Sequence, residues 1–212
     1  MNSSPDPVAV GLASSIARPG GNVTGFWWGD EGLVGKRLEL LKQAVPGIER
    51  VGFIFNPNEV TDRDAAKTVT EVSKGLALAV RVLEVSAPAQ LQQTFATAQQ
   101  EGLQGIVIGT GPLFVSNRTE LANLAFGARL PAIGSFRDFA VAGTLASYGA
   151  SLSDLYRRAA DFIDRVFKGA NPAEMPIERP TKFEFLINLK TAKAFGLTIS
   201  PSLLAQADEV IE

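Results

Sequence analysis

The chain has 212 residues, a net charge of −2 and 46 % hydrophobic side chains, enough for one ordinary domain or two small lobes around a sizeable core. It contains neither cysteine nor histidine. Those absences exclude disulfides, thiolate nucleophiles, a Ser-His-Asp triad and any zinc site that uses Cys or His, though Lys, Asp or Glu could still do acid–base work.

The N-terminal "MNSSPDPVAVG" lacks a basic segment followed by an apolar stretch and a small-residue cleavage site, so no secretory signal is expected. No apolar run approaches the roughly 20 residues of a membrane span. Further on, "KRLELLKQAV" (36–45) sets Leu38, Leu41 and Val45 at helical spacing with charges between them. "RVGFIFNP" (50–57) is a β-rich run ended by Asn-Pro, a buried strand followed by a turn. "RDAAKTVTEVSKGLALA" is a second helix, and "VRVLEVS" (80–86) alternates as a strand does. "APAQLQQTFATAQQEG" opens near a Ser86 cap and stops at Gly102. "GIVIGTG" is an apolar strand closed by glycines, "SNRTELANLAFGARL" a helix capped by Ser116 or Asn117, and "PAIGSF" another strand. "SLSDLYRRAADFIDRVFKGANP" is the clearest helix, capped by Ser151 or Ser153 and stopped by Gly169. The Pro-rich "NPAEMPIERPTKFEF" (171–185) reads as an extended crossing strand, because each proline pushes its predecessor towards β or polyproline geometry.

Strands that alternate with helices predict an α/β fold with a parallel sheet. Ligands of such sheets bind outside the carboxyl ends of the strands, here "NPNE" (56–59), Ser86, "GTGP" (109–112) and "SFRDF" (135–139).

Several motifs fail on inspection. "ARPGGNVTGFWWGDEGLVG" (17–35) runs into Lys36 like a phosphate loop, but Asp30 stands where the first glycine belongs and Arg37 where Ser or Thr would bind Mg²⁺. "NVT" (22–24) fits a glycan acceptor, a short pattern of little weight without a secretory signal. "GTGPLF" lacks the third glycine of a dinucleotide fingerprint, since Phe114 occupies that place. No basic run or basic–aromatic stripe marks a nucleic-acid face. Arg137 and Asp138 read as a solvated pair, while Ser135, Phe136 and Tyr148 offer hydroxyls and an aromatic face to a small organic ligand. Trp27 and Trp28 are either a ligand platform or hinge packing, and strand alternation would send them to opposite sides.

The segments "DPVAVGLASSIARPGGNVTGF" (6–26), "KRLELLKQAVPGIERVGFIFNP" (36–57) and the stretch 146–212, above all "ARPGGNVTG" and "INLKTAKAFGLTISPSLL" (187–204), resemble ABC-transporter substrate-binding proteins of the tryptophan or aromatic-amino-acid-binding type. The likeness implies a type I periplasmic-binding-protein fold: two α/β lobes with parallel sheets, joined by three crossings, with the ligand held in an interlobe cleft. Mapped here, residues 1–33 and 135–180 form the first lobe with its hinge crossings, and 34–134 with 181–212 form the second. The crossings fall near 22–32, 132–138 and 177–186. Relatives carry a signal peptide and further strand–helix units before the point where "DPV" stands, so the first lobe is expected to be incomplete and the chain N-terminally truncated.

The resemblance implies capture of a small organic ligand, an amino acid by analogy, for an ABC importer. The expected contacts are Asp6, Asn58, Thr110, Ser135, Phe136 and Tyr148. No catalytic residue, metal or cofactor is expected. The implied partners are the small-molecule ligand, a transporter permease and a second copy covering the incomplete lobe, with no nucleic acid. The implied location is periplasmic, or cytoplasmic if the chain is made without a signal. The alternative is a cytoplasmic ligand-sensing module or enzyme on the same scaffold, because fold alone does not fix function.

Overall fold

A computed structural model describes residues 2–3, 6–29 and 32–212. In chain order the elements are β1 (Asn2–Ser3), β2 (Phe26–Trp27), α1 (Leu33–Ala44), β3 (Arg50–Phe55), α2 (Val60–Gly75), β4 (Ala79–Glu84), α3 (Leu91–Gln100), β5 (Gly105–Ile108), α4 (Pro112–Ser116) and α5 (Arg118–Gly127). They continue with β6 (Ala132–Gly134), α6 (Arg137–Ala142), β7 (Ala146–Ala150), α7 (Leu152–Phe167), β8 (Phe183–Asn188), α8 (Leu189–Ala194), α9 (Pro201–Leu204) and β9 (Glu209–Ile211). Each strand and helix expected over 36–136 is present, as is the long helix after Ser151. The chain divides into two compact units: unit 1 takes residues 1–29 and 150–183, and unit 2 takes 30–149 and 184–212.

Unit 2 is built on a seven-stranded sheet of order β4-β3-β5-β6-β7-β8-β9. Strands β3 to β7 pair in parallel, as do β8 and β9. Between β7 and β8 the direction reverses: Asn188 donates to the Leu145 carbonyl and Ser151 to that of Lys182, so one strand rises as the other falls. All four residues of β5 are buried and five of the six in β3, the continuous apolar run expected of a strand covered on both faces. The core gathers Leu38 and Leu41 of α1, Phe53 and Phe55 of β3, Ile133 of β6 and Ile187 of β8.

Residues 135–149, expected with the first lobe, pack in unit 2. The reason is β7, whose Ala146 and Ser147 pair with Ile133 and Gly134 of β6 and so hold this segment in the larger sheet. A second difference concerns α1. Arg37, one of the charges between its apolar positions, is wholly buried, and its Nε donates to the Tyr148 carbonyl at 2.9 Å.

Unit 1 relies less on regular structure. β1 and β2 form a two-stranded parallel ribbon. Residues 25–27 run beside Glu178, with Trp27 N–H donating to the Glu178 carbonyl and Glu178 N–H to that of Gly25, both at 2.9 Å. The Pro-rich 171–185 is therefore only partly a strand: a 3₁₀ turn occupies Pro172–Glu174, a single bridge sits at Glu178, and β8 begins at Phe183. The expected alternation of the tryptophans holds. Trp27 packs with Ala13 and Ile177, whereas Trp28 packs with Phe26, Leu155 and Phe162. Ser151 caps α7 by accepting from Asp154 N–H, as the sequence suggests, and Gly169 ends it with φ 95°. Arg158 of α7 lies over the Phe26 ring, 4.8 Å from its centroid, and forms an ion pair with Glu178.

Gly149 of β7 has no room for a side chain. A Cβ there would fall 1.8 Å from the Ser135 carbonyl oxygen, a contact that only backbone movement could relieve. Gly149→Ala is therefore expected to lower unfolding free energy by about 3 kcal/mol, at the upper end of overpacking costs, as measured by urea denaturation.

Candidate functional site

The carboxyl ends of β3, β5 and β6 each lead into a buried polar side chain. Asn56 follows β3, Thr110 follows β5 and Ser135 follows β6. The first two loops are tied together by Asp62, in the first turn of α2. It is fully buried. Its Oδ2 accepts from Asn56 N–H at 2.9 Å; its Oδ1 accepts from Thr110 N–H at 2.9 Å and from the Thr110 hydroxyl at 3.2 Å. A carboxylate removed from water needs this degree of hydrogen bonding to offset its desolvation. The flanking glycines make room for it: a Cβ on Gly109 or Gly111 would lie 2.7 or 3.1 Å from Asp62 Oδ2. The glycines of "GTGP" thus serve a carboxylate, not a nucleotide.

Five of the six expected contact residues belong to unit 2. Asn58 is exposed in the β3 loop, its N–H donating to Asn56 Oδ1 at 3.0 Å. Thr110 is buried on Asp62. Ser135 and Phe136, both buried, lead into α6. Tyr148 is one step along β7 from the Gly134–Ser147 pair, which places it beside Ser135 in register. Its ring stands edge-on to Phe185, with centroids 6.5 Å apart. Asp6 lies in unit 1, where its Oδ1 accepts from Val8 N–H at 2.8 Å and holds its own turn. The expected Arg137–Asp138 pair is replaced: Arg137 forks onto both oxygens of Glu209 at 2.6 and 2.8 Å. That bond holds the guanidinium pKa above its usual value.

Two hydroxyls stand out because they lack partners. Ser135 Oγ and Ser147 Oγ are fully buried and find no hydrogen-bond partner among the described residues. Buried polar atoms are nearly always satisfied, so each such exception calls for a cause. Among the described residues no cluster of three acidic, Cys or His side chains could hold a metal, and no helix is long and apolar enough to cross a membrane. Asp62 and Ser147 were not singled out by the sequence. The signal for Asp62 was its place in the first turn of a helix that follows a strand end, where an acidic residue complements the helix N-terminus.

Parallel strands whose carboxyl-end loops converge in this way define an α/β ligand-binding scaffold. Solved structures share it. A domain crystallised with L-Trp from Streptococcus pneumonia superposes with a TM-score of 0.86 at 24 % identity, covering 97 % of this chain and 70 % of that one. A conserved domain protein from Vibrio cholerae gives 0.87 at 21 %, covering 97 % and 68 %. The open, ligand-free form of an adhesive substrate-binding protein from Clostridium difficile gives 0.72 at 21 %, covering 100 % and 70 %. The fold is that of the type I periplasmic binding proteins.

The sequence goes further than the fold. The chain belongs to the ABC transporter substrate binding protein family, whose profile matches residues 1–211. A tyrosine-binding protein from Clostridioides difficile is 26 % identical over 197 residues, which are 93 % of this chain and 56 % of that protein. The chain therefore spans little more than half the length of this curated relative.

The carboxylate clamp has a measurable consequence. Asp62→Ala strands two buried N–H groups and is expected to cost about 2–6 kcal/mol in urea unfolding, at ~1–3 kcal/mol for each unsatisfied group. Asp62→Asn, which keeps one acceptor oxygen, is expected to cost less.

Proposed function

We propose that this chain is the ligand-capturing part of an ABC importer and that its ligand is an aromatic amino acid. Family membership supports the solute-binding role. The observation that carries the site is the Ser135 hydroxyl, buried and without a partner at the carboxyl end of a parallel strand. A hydrogen-bonding group left unsatisfied in the ligand-free protein is stabilised when a ligand group meets it. Phe136 and Tyr148 would supply the aromatic surroundings, and the loops bearing Asn58 and Thr110 would supply polar contacts. The chain would act by binding alone, outside the cytoplasm, and deliver its ligand to a transporter permease. The relatives point in the same direction, one being a tyrosine-binding protein and one a structure with L-Trp.

Titration calorimetry with L-tryptophan and L-tyrosine tests this reading, with saturable heat expected for at least one. Ser135→Ala should weaken that binding roughly tenfold, the worth of one hydrogen bond. The same substitution should leave the ligand-free chain as stable as before or more so, because the hydroxyl it removes has no partner. A folded chain that gives no heat with either amino acid at millimolar concentration overturns the proposal.

A further inference from the structure

Among the described residues, the charged side chains that are wholly buried are Asp62, which clamps two loops, and Arg37. Arg37 lies on the inward side of α1, one turn from Val34 and one turn from Leu41, both buried. A guanidinium keeps its charge at any pH a protein meets. Taking it out of water is costly, and an apolar residue of similar volume often serves stability as well or better. A charge retained in such a place is explained by the arrangement it specifies.

What Arg37 specifies is the backbone at Tyr148. Its Nε donates to the Tyr148 carbonyl at 2.9 Å. That carbonyl belongs to the peptide joining Tyr148 to Gly149. Glycine admits many backbone geometries, so Gly149 does little to orient that peptide by itself. The strand must nevertheless run close to its neighbour here, because a Cβ on Gly149 would lie 1.8 Å from the Ser135 carbonyl oxygen. A donor from α1 fixes the peptide where the glycine leaves it free. The direction in which a side chain leaves its strand follows from the backbone that bears it. The anchored peptide therefore aims the half-buried Tyr148 ring, which stands beside Ser135 in register and edge-on to Phe185.

We propose that Arg37 is a positioning residue of the ligand site, acting through Tyr148: its buried guanidinium holds the Tyr148 carbonyl and so keeps the aromatic ring beside the Ser135 hydroxyl. This rests on the amino-acid-binding reading above, in which Ser135 and Tyr148 meet the ligand.

The chain has two tyrosines, Tyr148 and the exposed Tyr156. Fluorotyrosine labelling of the 212-residue chain thus gives one fluorine resonance at the site and one reference. Arg37→Met removes the donor. It should move the Tyr148 resonance, leave that of Tyr156 in place, and weaken binding of L-tryptophan or L-tyrosine about tenfold by calorimetry, the worth of a charge-assisted hydrogen bond. Arg37→Lys keeps a cation and a donor but not the planar fork, and should move the same resonance less and weaken binding about threefold. Leu38→Val, beside Arg37 in the same core, should lower the urea midpoint yet change neither the Tyr148 resonance nor the affinity. Circular dichroism checks that each variant is folded, and if Arg37→Met is not, Arg37→Lys decides by the same two readouts. An unmoved Tyr148 resonance in the folded Arg37 variants overturns the proposal. So does a loss of affinity no greater than that of Leu38→Val. Absence of heat in the unsubstituted chain overturns the amino-acid-binding reading instead, while the ligand-free resonances still report whether Arg37 holds Tyr148.

Discussion

In unit 2, two loops that leave the sheet at different strands end on one carboxylate. Asp62 accepts from the backbone of Asn56 after β3 and from the backbone and hydroxyl of Thr110 after β5. Parallel strands have no hairpin to fix the distance between their ends, so something else must set it. Here that is a buried anion with its lone pairs used. Gly109 and Gly111, which carry no side chain, leave it room, and Ser135 follows the next strand, β6. A carboxylate in this position costs desolvation energy that its hydrogen bonds only balance. Its value is conformational: it specifies one arrangement of the two loops.

Unit 1 is held by other means. It has one short parallel ribbon and one long helix, so it gains little from ladder hydrogen bonds. Cations over aromatic rings stand in. Arg158 covers Phe26 and pairs with Glu178, and Arg179 lies 3.8 Å above the Trp27 ring. Thr24 adds a hydroxyl donated to the Met175 carbonyl at 2.8 Å. Two of these contacts, Arg179 over Trp27 and Thr24 on the Met175 carbonyl, join residues about 150 positions apart in sequence.

The strand–helix alternation of unit 2 was legible because buried parallel strands are uniformly apolar and their helices end at glycines, as at Gly102. Ser151 was legible because a capping hydroxyl acts three residues along the chain. What could not be read depends on partners distant in sequence. Arg137 looked paired with its neighbour Asp138, yet its partner Glu209 is reached only when β9 closes the sheet. Arg37 sits among the charges between the apolar positions of its helix, yet it is wholly buried and donates to the Tyr148 carbonyl on β7. Asp62 was not singled out, since nothing local betrays a partner 48 residues ahead. The Ser135 hydroxyl was picked out by its place at a strand end; that it lacks a partner is a fact only three dimensions supply.

The placement of Trp27 and Trp28 gives the molecule a built-in optical asymmetry. They are the chain's only tryptophans, and both belong to unit 1, where one ring lies beneath a guanidinium and the other is half-buried among aromatic and aliphatic side chains. Indole emission therefore reports on unit 1 alone, while most of the helix and strand that shape the far-ultraviolet signal belongs to unit 2. Recorded on one sample, the two signals separate the melting of one unit from that of the other without any added label.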